Sequence, residues 1–570
     1  MRRGTPATGF ALALALVLVC CSLPSSRPSS ITDIGSAPPS APAAPKRIVA
    51  AIMGDPPTLS NTINSAGGAG VPGASEVGQL VTAGLSSVDV KGKLHPQLAD
   101  AVPSTDNGLW KVADDGTMET TWHLRSGIVW QDGAPFTSED LAFTVAIGQD
   151  KDVPLFRDLA FDSIRGTEQP DAQTFIVHWN RPFIQADGLL ATDSVLLPVP
   201  KHIVEKPYLD NRAALGELPY WGPEFVGTGP FKLKEWVAGS HLLLVANDAY
   251  VLGRPKVDEI EVKFIPDPDT LSANILAGSV ELTLGRSLSL DEALQVGDQW
   301  RDGKIETDVN GWLVMYPQLL TPEPAAIGDP RFRRGLLSAI DRQTMADTLL
   351  RPGMSQVAHF FLGPNEPDYD DVEGSAVKYP YDARQATQLV ESVGFRRGQD
   401  GVLRDAAGQP VSVEIRNRGI EIGRKSVFAV ADYWKQIGLA VETTIIPPQR
   451  AQDRPYMATF PGFLLYNQPS DINFLKRIHS SQTPLPENGF VGQNNSRYVD
   501  KAFDALIDRL FITIPRGERM RILGQIVHEM TDQALLLGLF YNLEPQMIGA
   551  RLVNVGAGPP WNAGEWDVRK

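Results

Sequence analysis

Every cysteine in this chain lies in one dipeptide, Cys20-Cys21. Whatever follows is therefore held by packing and hydrogen bonds, without disulfides, thiolate metal frameworks or a cysteine nucleophile. The dipeptide closes the one long apolar run, residues 10–19, which follows Arg2 and Arg3. A basic start and an apolar run of that length describe an export signal, too short to span a bilayer. Beyond it no apolar stretch approaches the roughly 20 residues of a membrane span. With 570 residues, the chain is expected to form three to four units of roughly 150 residues each. The acid excess, 67 Asp and Glu against 52 Lys and Arg, gives a net charge of −15. That balance argues against a nucleic-acid partner and against a polybasic membrane surface.

Residues 22–45 are rich in Ser, Pro and Ala without periodicity and read as a flexible tether. The RIVAAIM run at 47–53 reads as a first strand. Residues 74–85 have helical spacing, with Val77, Leu80, Val81 and Leu85 on one side. Short alternating runs divided by Gly, Pro and Asp fill residues 120–242, and EIEVKFI at 259–265 is another strand. After about residue 305 helices dominate: Phe332, Leu336, Leu337 and Ile340 share a face, as do Phe503, Leu506, Ile507 and Leu510. Further helices are expected over about 383–393, 425–437 and 518–530.

Catalytic patterns fare poorly. Gly68-Ala69-Gly70-Val71-Pro72-Gly73 matches GxGxxG in letters, but the preceding strand ends well before it, so a loop is the better reading. No GxSxG elbow, phosphate loop or HExxH occurs, and the eight histidines are scattered singly. The acidic stretch at 368–374 breaks the calcium-loop order at Val372 and Glu373. Asp267-Pro268-Asp269 is a turn rather than an acid–base pair. No cofactor and no metal site is expected. Missing motifs do not exclude an exported hydrolase, since carboxylates and hydroxyls are plentiful.

Two resemblances emerge. The end of the apolar run, Leu18-Val19-Cys20-Cys21, resembles the lipobox of bacterial lipoproteins; Cys21 fits the acylated position best, with Cys20 the alternative. The second is carried by six stretches in order. They are TWHLRSGIVWQDGAPFTSEDLAFTV at 121–145, VGTGPF at 226–231, NDAYVLGRPKVDEIEVKF onward from Asn247, DPRFRRGLLSAIDR at 329–342, YD at 381–382 running to Phe395 and Asp400-Gly401, and Ile437-Gly438-Leu439. Together they resemble the family 5 extracellular solute-binding proteins of ABC importers. Gln131 departs from the histidine frequent there.

The resemblance implies an α/β, two-lobed periplasmic-binding-protein (flytrap) fold with an additional small β-rich domain. It places lobe I at 46–90, 223–305 and 531–570, the β-rich domain at 91–222 and lobe II at 306–530. It implies a monomeric receptor that takes up peptides or another extended solute and delivers them to ABC permease subunits, with residues 1–21, by the lipobox resemblance, a lipoprotein signal peptide that leads to export and a membrane anchor. In peptide-binding members an aspartate holds the ligand's amine. The corresponding position here is Asn467, which supplies no charge. Asp471 replaces it if the register slips, and an oligosaccharide remains the alternative ligand. Tyr466, Trp312 and Tyr316 are expected to face the cleft as aromatic platforms.

Overall fold

The structure, a computed structural model, describes residues 45–570 except 61–62, 64–70, 154–159, 195, 418–420, 452 and 570. The export signal, Cys20, Cys21, nearly all of the tether and the GxGxxG glycines Gly68 and Gly70 lie outside the described residues.

Ten strands form one mixed sheet. In chain order they are β1 (Arg47–Ile52), β2 (Phe231–Val237), β3 (His241–Ala246), β4 (Glu259–Phe264), β5 (Leu282–Thr283), β6 (Gly303–Pro317), β7 (Ser412–Asn417), β8 (Ala440–Ile445), β9 (Phe463–Gln468) and β10 (Leu537–Gly549). Across the sheet they run β8-β7-β9-β6-β10-β5-β1-β4-β3-β2. Two of them, β6 with 15 residues and β10 with 13, lie antiparallel in the middle. Strands β1 to β5 build the first lobe and β7 to β9 the second. The long pair crosses between them. The expected boundary at 305/306 falls inside β6, because one continuous strand serves both lobes.

β1 pairs parallel with β4 and β5, and parallel strands covered on both faces read as apolar runs. One covering element is helix α1 (Ala74–Val81), whose Val77, Leu80 and Val81 pack on Ile48, Ala50 and Ile52. The spacing at 74–85 predicts a longer helix. It stops at Val81 because that carbonyl accepts from Gly229 N at 2.9 Å and from Gln131 Nε2 at 3.0 Å. Gln131 also donates to Phe231 O at 2.7 Å and accepts from Gly227 N at 3.1 Å. A Cβ on Gly227 would lie 2.1 Å from Val81 O. Two motifs a hundred residues apart thus meet at one helix end.

Within the segment expected to be β-rich, a four-stranded antiparallel sheet runs Trp110–Val112, Met118–His123, Thr174–Trp179, Ile164–Asp171. The helix Ser138–Gln149 opens on a capping box, with Thr137 Oγ1 accepting from Glu139 N at 3.3 Å and Asp140 Oδ2 from Thr137 N at 2.9 Å. Its core of Trp122, Trp130 and Trp179 also takes in Leu85 and Tyr250 from the flanking chain.

In the second lobe, Pro330–Ser338 buries Phe332, Leu336 and Leu337, while Ile340 is buried just past its end. Lys501–Ile512 buries Phe503, Ile507 and Leu510 and leaves Leu506 half-buried. The three further helices expected from the sequence span Ala383–Glu391, Glu421–Gln436 and Arg516–Asp532.

Candidate functional site

The crossing strand β6 changes character at its middle. Residues 304–310 are half-buried or exposed, whereas every residue from Gly311 to the strand's end is buried. At the change the register with β10 shifts, from Val309 opposite Leu543 to Trp312 opposite Tyr541. Gly311 sits there at φ 104°, and a Cβ on it would lie 2.2 Å from Gln468 O. Only glycine combines that dihedral with that approach. The register shift between Val309 and Trp312 thus marks where the crossing strand passes from its half-buried half to its buried half.

Polar side chains gather on the first-lobe side of this point. In the antiparallel register Glu306 faces Gln546, and Asp308 faces Glu544 directly. Asn310 Nδ2 donates to Glu544. Burial pushes Glu544 up to about 7, with the Glu76 carboxylate adding to the rise and Arg286 opposing it. Burial likewise raises Asp308, against hydrogen bonds from Val309 N and Asn365.

The second lobe brings a turn at 363–368 to the same place. Gly363 N donates to Ser470 O at 2.8 Å, which fixes the turn beside Asp471. Glu366 within it is pushed up to about 8, first by burial and then by the facing carboxylates of Asp471, Asp368, Asp193 and Asp308. From the far side the hairpin turn at Gly92 closes on Pro367, since a Cβ there would meet Pro367 Cδ at 2.8 Å. A cavity of about 570 Å³ lies beside these groups, lined by Lys91, Glu306, Asp308, Asn365 and Trp561 among others.

The residues expected from sequence divide. Asn467, on β9 opposite Leu313, is half-buried and reaches the register shift, its Nδ2 3.4 Å from Asn310 O; its Oδ1 is shielded and accepts no hydrogen bond. Asp471 is half-buried, accepts from Asn473 N at 2.7 Å and faces Glu366. Tyr466 is half-buried against the second-lobe core.

Trp312 and Tyr316 are corrections. Each is 1% exposed, inside a core that includes Phe474, Tyr541 and Leu464. Trp312 meets Phe474 edge-on with ring centroids 5.5 Å apart. They lie on the half of β6 covered on both faces, so neither is a cleft platform. Sequence reasoning missed Asp308, Asn310, Asn365, Glu366 and Glu544. The one available signal was the polar run Glu306-Thr307-Asp308-Val309-Asn310 ahead of a wholly apolar strand end.

Two lobes on one sheet, crossed by two strands beside a polar cleft, define the plan of a solute-binding protein. Residues 93–483 match the bacterial extracellular solute-binding proteins, family 5 (middle), and the chain belongs to that family. It is 26% identical to the oligopeptide-binding protein AppA of Bacillus subtilis over 444 residues, 76% of this chain and 75% of that protein. Heme-binding protein A of Haemophilus influenzae is 24% identical over 461 residues, 76% of this chain and 77% of its own. Among solved structures, AppA in complex with a nonapeptide has a TM-score of 0.64 at 21% identity, covering 92% of this chain and 100% of that one. The substrate-binding protein CtaP of Listeria monocytogenes has a TM-score of 0.73 at 20% identity, covering 92% and 99%.

Proposed function

We propose that this chain is the extracytoplasmic receptor of an ABC importer, capturing peptides or a similar extended solute and delivering it unchanged to a membrane permease. The observation that carries this reading is the register shift at Asn310-Gly311 in a strand shared by both lobes, with polar groups from each lobe facing the space beside it. A solute that touches both lobes favours the closed form by its differential affinity and so shifts the equilibrium.

The relative AppA, named for oligopeptides, supports an extended peptide as the solute. Acylation at Cys21 holds the receptor at the membrane through residues 22–45.

Native mass spectrometry of the protein with its co-purified ligand tests the solute. A ladder of peptide masses is expected; a single sugar mass would overturn the peptide reading. Metabolic labelling with palmitate tests the anchor: Cys21→Ser loses the label and Cys20→Ser keeps it.

A further inference from the structure

We infer that the second lobe carries an oxyanion site apart from the cleft, at the turn 494–497 and the cavity beside it, and that its ligand is inorganic phosphate. Three arginines are buried among the described residues. Arg333 and Arg342 give their guanidinium hydrogens to backbone carbonyls. Arg497, 5% exposed, has no such carbonyl and no carboxylate in ion-pair contact among the described residues, and its Nε is shielded from solvent without an acceptor. The carboxylate whose charge bears on it, Glu487, is exposed and makes no ion pair with it. A buried charge left without hydrogen bonds or counter-ion is costly, and an anion removes the cost.

The neighbours of Arg497 point the same way. The chain turns back on itself here, Arg497 N donating to Asn494 O at 2.9 Å, and Arg497 stands at φ 55°, a region that favours glycine. Ser496, 3% exposed, has a shielded hydroxyl that also lacks a partner. Asn495 lines a cavity of about 220 Å³ together with Arg454, Pro484 and Gly492. Arg454 is the one charged group on that wall among the described residues, in a chain of net charge −15. No carboxylate pairs with it, and its neighbour Asp453 is taken by Arg450 at 2.9 Å. Guanidinium and hydroxyl hydrogens without acceptors suit an oxyanion, since the planar guanidinium fork matches two oxygens at once. Asn494 Oδ1, by contrast, is a buried acceptor without a donor. The protonated oxygen of hydrogen phosphate supplies that donor and sulfate does not. The site is remote from the cleft: Ser496 O accepts from Leu319 N at 2.9 Å, just past the end of β6. That is roughly 25 Å along the extended chain from Gly311.

Titration calorimetry of the full chain with inorganic phosphate, sulfate and acetate, in a buffer free of other oxyanions, tests this. Phosphate is expected to bind at about 1 mM or tighter, with sulfate about tenfold weaker and acetate weakest. Arg497→Gln should weaken phosphate by at least about tenfold and Ser496→Ala by about threefold. Arg454→Gln, on the surface and no risk to folding, should also weaken it by about threefold. Ligand-free Arg497→Gln should keep the parent's urea midpoint, because the side chain makes no hydrogen bond or ion pair that the fold uses. Phosphate should raise the parent's midpoint and leave that of Arg497→Gln where it is. No binding of any of the three anions, or phosphate affinity indifferent to Arg497→Gln, overturns the inference and leaves the receptor reading untouched. A ligand-free Arg497→Gln that unfolds in less urea than the parent also overturns it, since that assigns the guanidinium to the fold. Sulfate binding as tightly as phosphate, and lost with Arg497→Gln, sustains the oxyanion site and overturns phosphate as its ligand.

Discussion

Buried charge is handled in opposite ways in the second-lobe core and in the cleft. In the core, Arg333 is 2% exposed and donates to Ala534 O at 2.9 Å, Ile327 O at 2.7 Å and Gln533 O at 2.7 Å. Arg342, 4% exposed, donates to Gly538 O at 2.9 Å and Tyr379 O at 2.8 Å. Each guanidinium satisfies carbonyls at strand and helix ends that would otherwise be orphaned. In the cleft, Glu366 faces four carboxylates and Asp308 faces Glu544. A buried charge with its hydrogen bonds complete belongs to the fold. The cleft carboxyls of Glu366 and Glu544 are instead pushed toward their neutral forms by burial and by neighbouring carboxylates.

The largest effect is expected where the core rule is broken. Arg333→Met strands three carbonyls and should cost about 4 kcal/mol in urea unfolding, with solute affinity unchanged in the folded fraction. Next is the joint between the regions. Gly311→Ala meets Gln468 O and an unfavourable φ, so a loss of about 3 kcal/mol is expected, together with weaker solute closure followed by tryptophan fluorescence.

The cleft should respond to pH as the core does not. Glu366 stands near 8 in the fold against an ordinary 4.5. Its neutral form is the one the fold favours, so ligand-free stability is fullest below about pH 4.5, declines as pH rises, and is lowest above about 8. Glu366→Gln should flatten that decline by on the order of 2 kcal/mol, read from urea midpoints at acid and alkaline pH. A smaller change tests the anchor position. Asn467→Asp should raise the preference for free-amine over N-acetylated peptides by about fivefold in calorimetry. Smallest of all is the exposed Lys206–Asp210 pair, where Lys206→Ala should stay within about 0.5 kcal/mol of the parent. An effect there as large as at Arg333 would dissolve the distinction between the regions.

Much of the architecture was legible locally. The cap at Thr137, the turns at Gly127 and Gly133 with φ of 76° and 93°, and the apolar faces at Phe332 and Phe503 depend on near neighbours in the chain. The end of α1 did not, because Gln131 and Gly229 come from remote segments. Trp312 and Tyr316 read as platforms because aromatics at a strand end look alike whether one face is covered or both. Asn467 and Asp471 were legible by resemblance, whereas Glu366 and Glu544 were not.

By itself, the sequence determined the family, the two-lobed α/β plan, and the position of strands, caps and turns. The family and the two-lobed plan follow from the resemblance carried by six ordered stretches, and the strands, caps and turns from periodicity, glycine and proline placement, and short-range hydrogen bonding. Only the tertiary structure decided where β6 passes from cleft to core and which carboxylates face one another. Residues 308, 366, 471 and 544 lie on different elements, and their mutual repulsion exists only once both lobes have folded against the crossing strands.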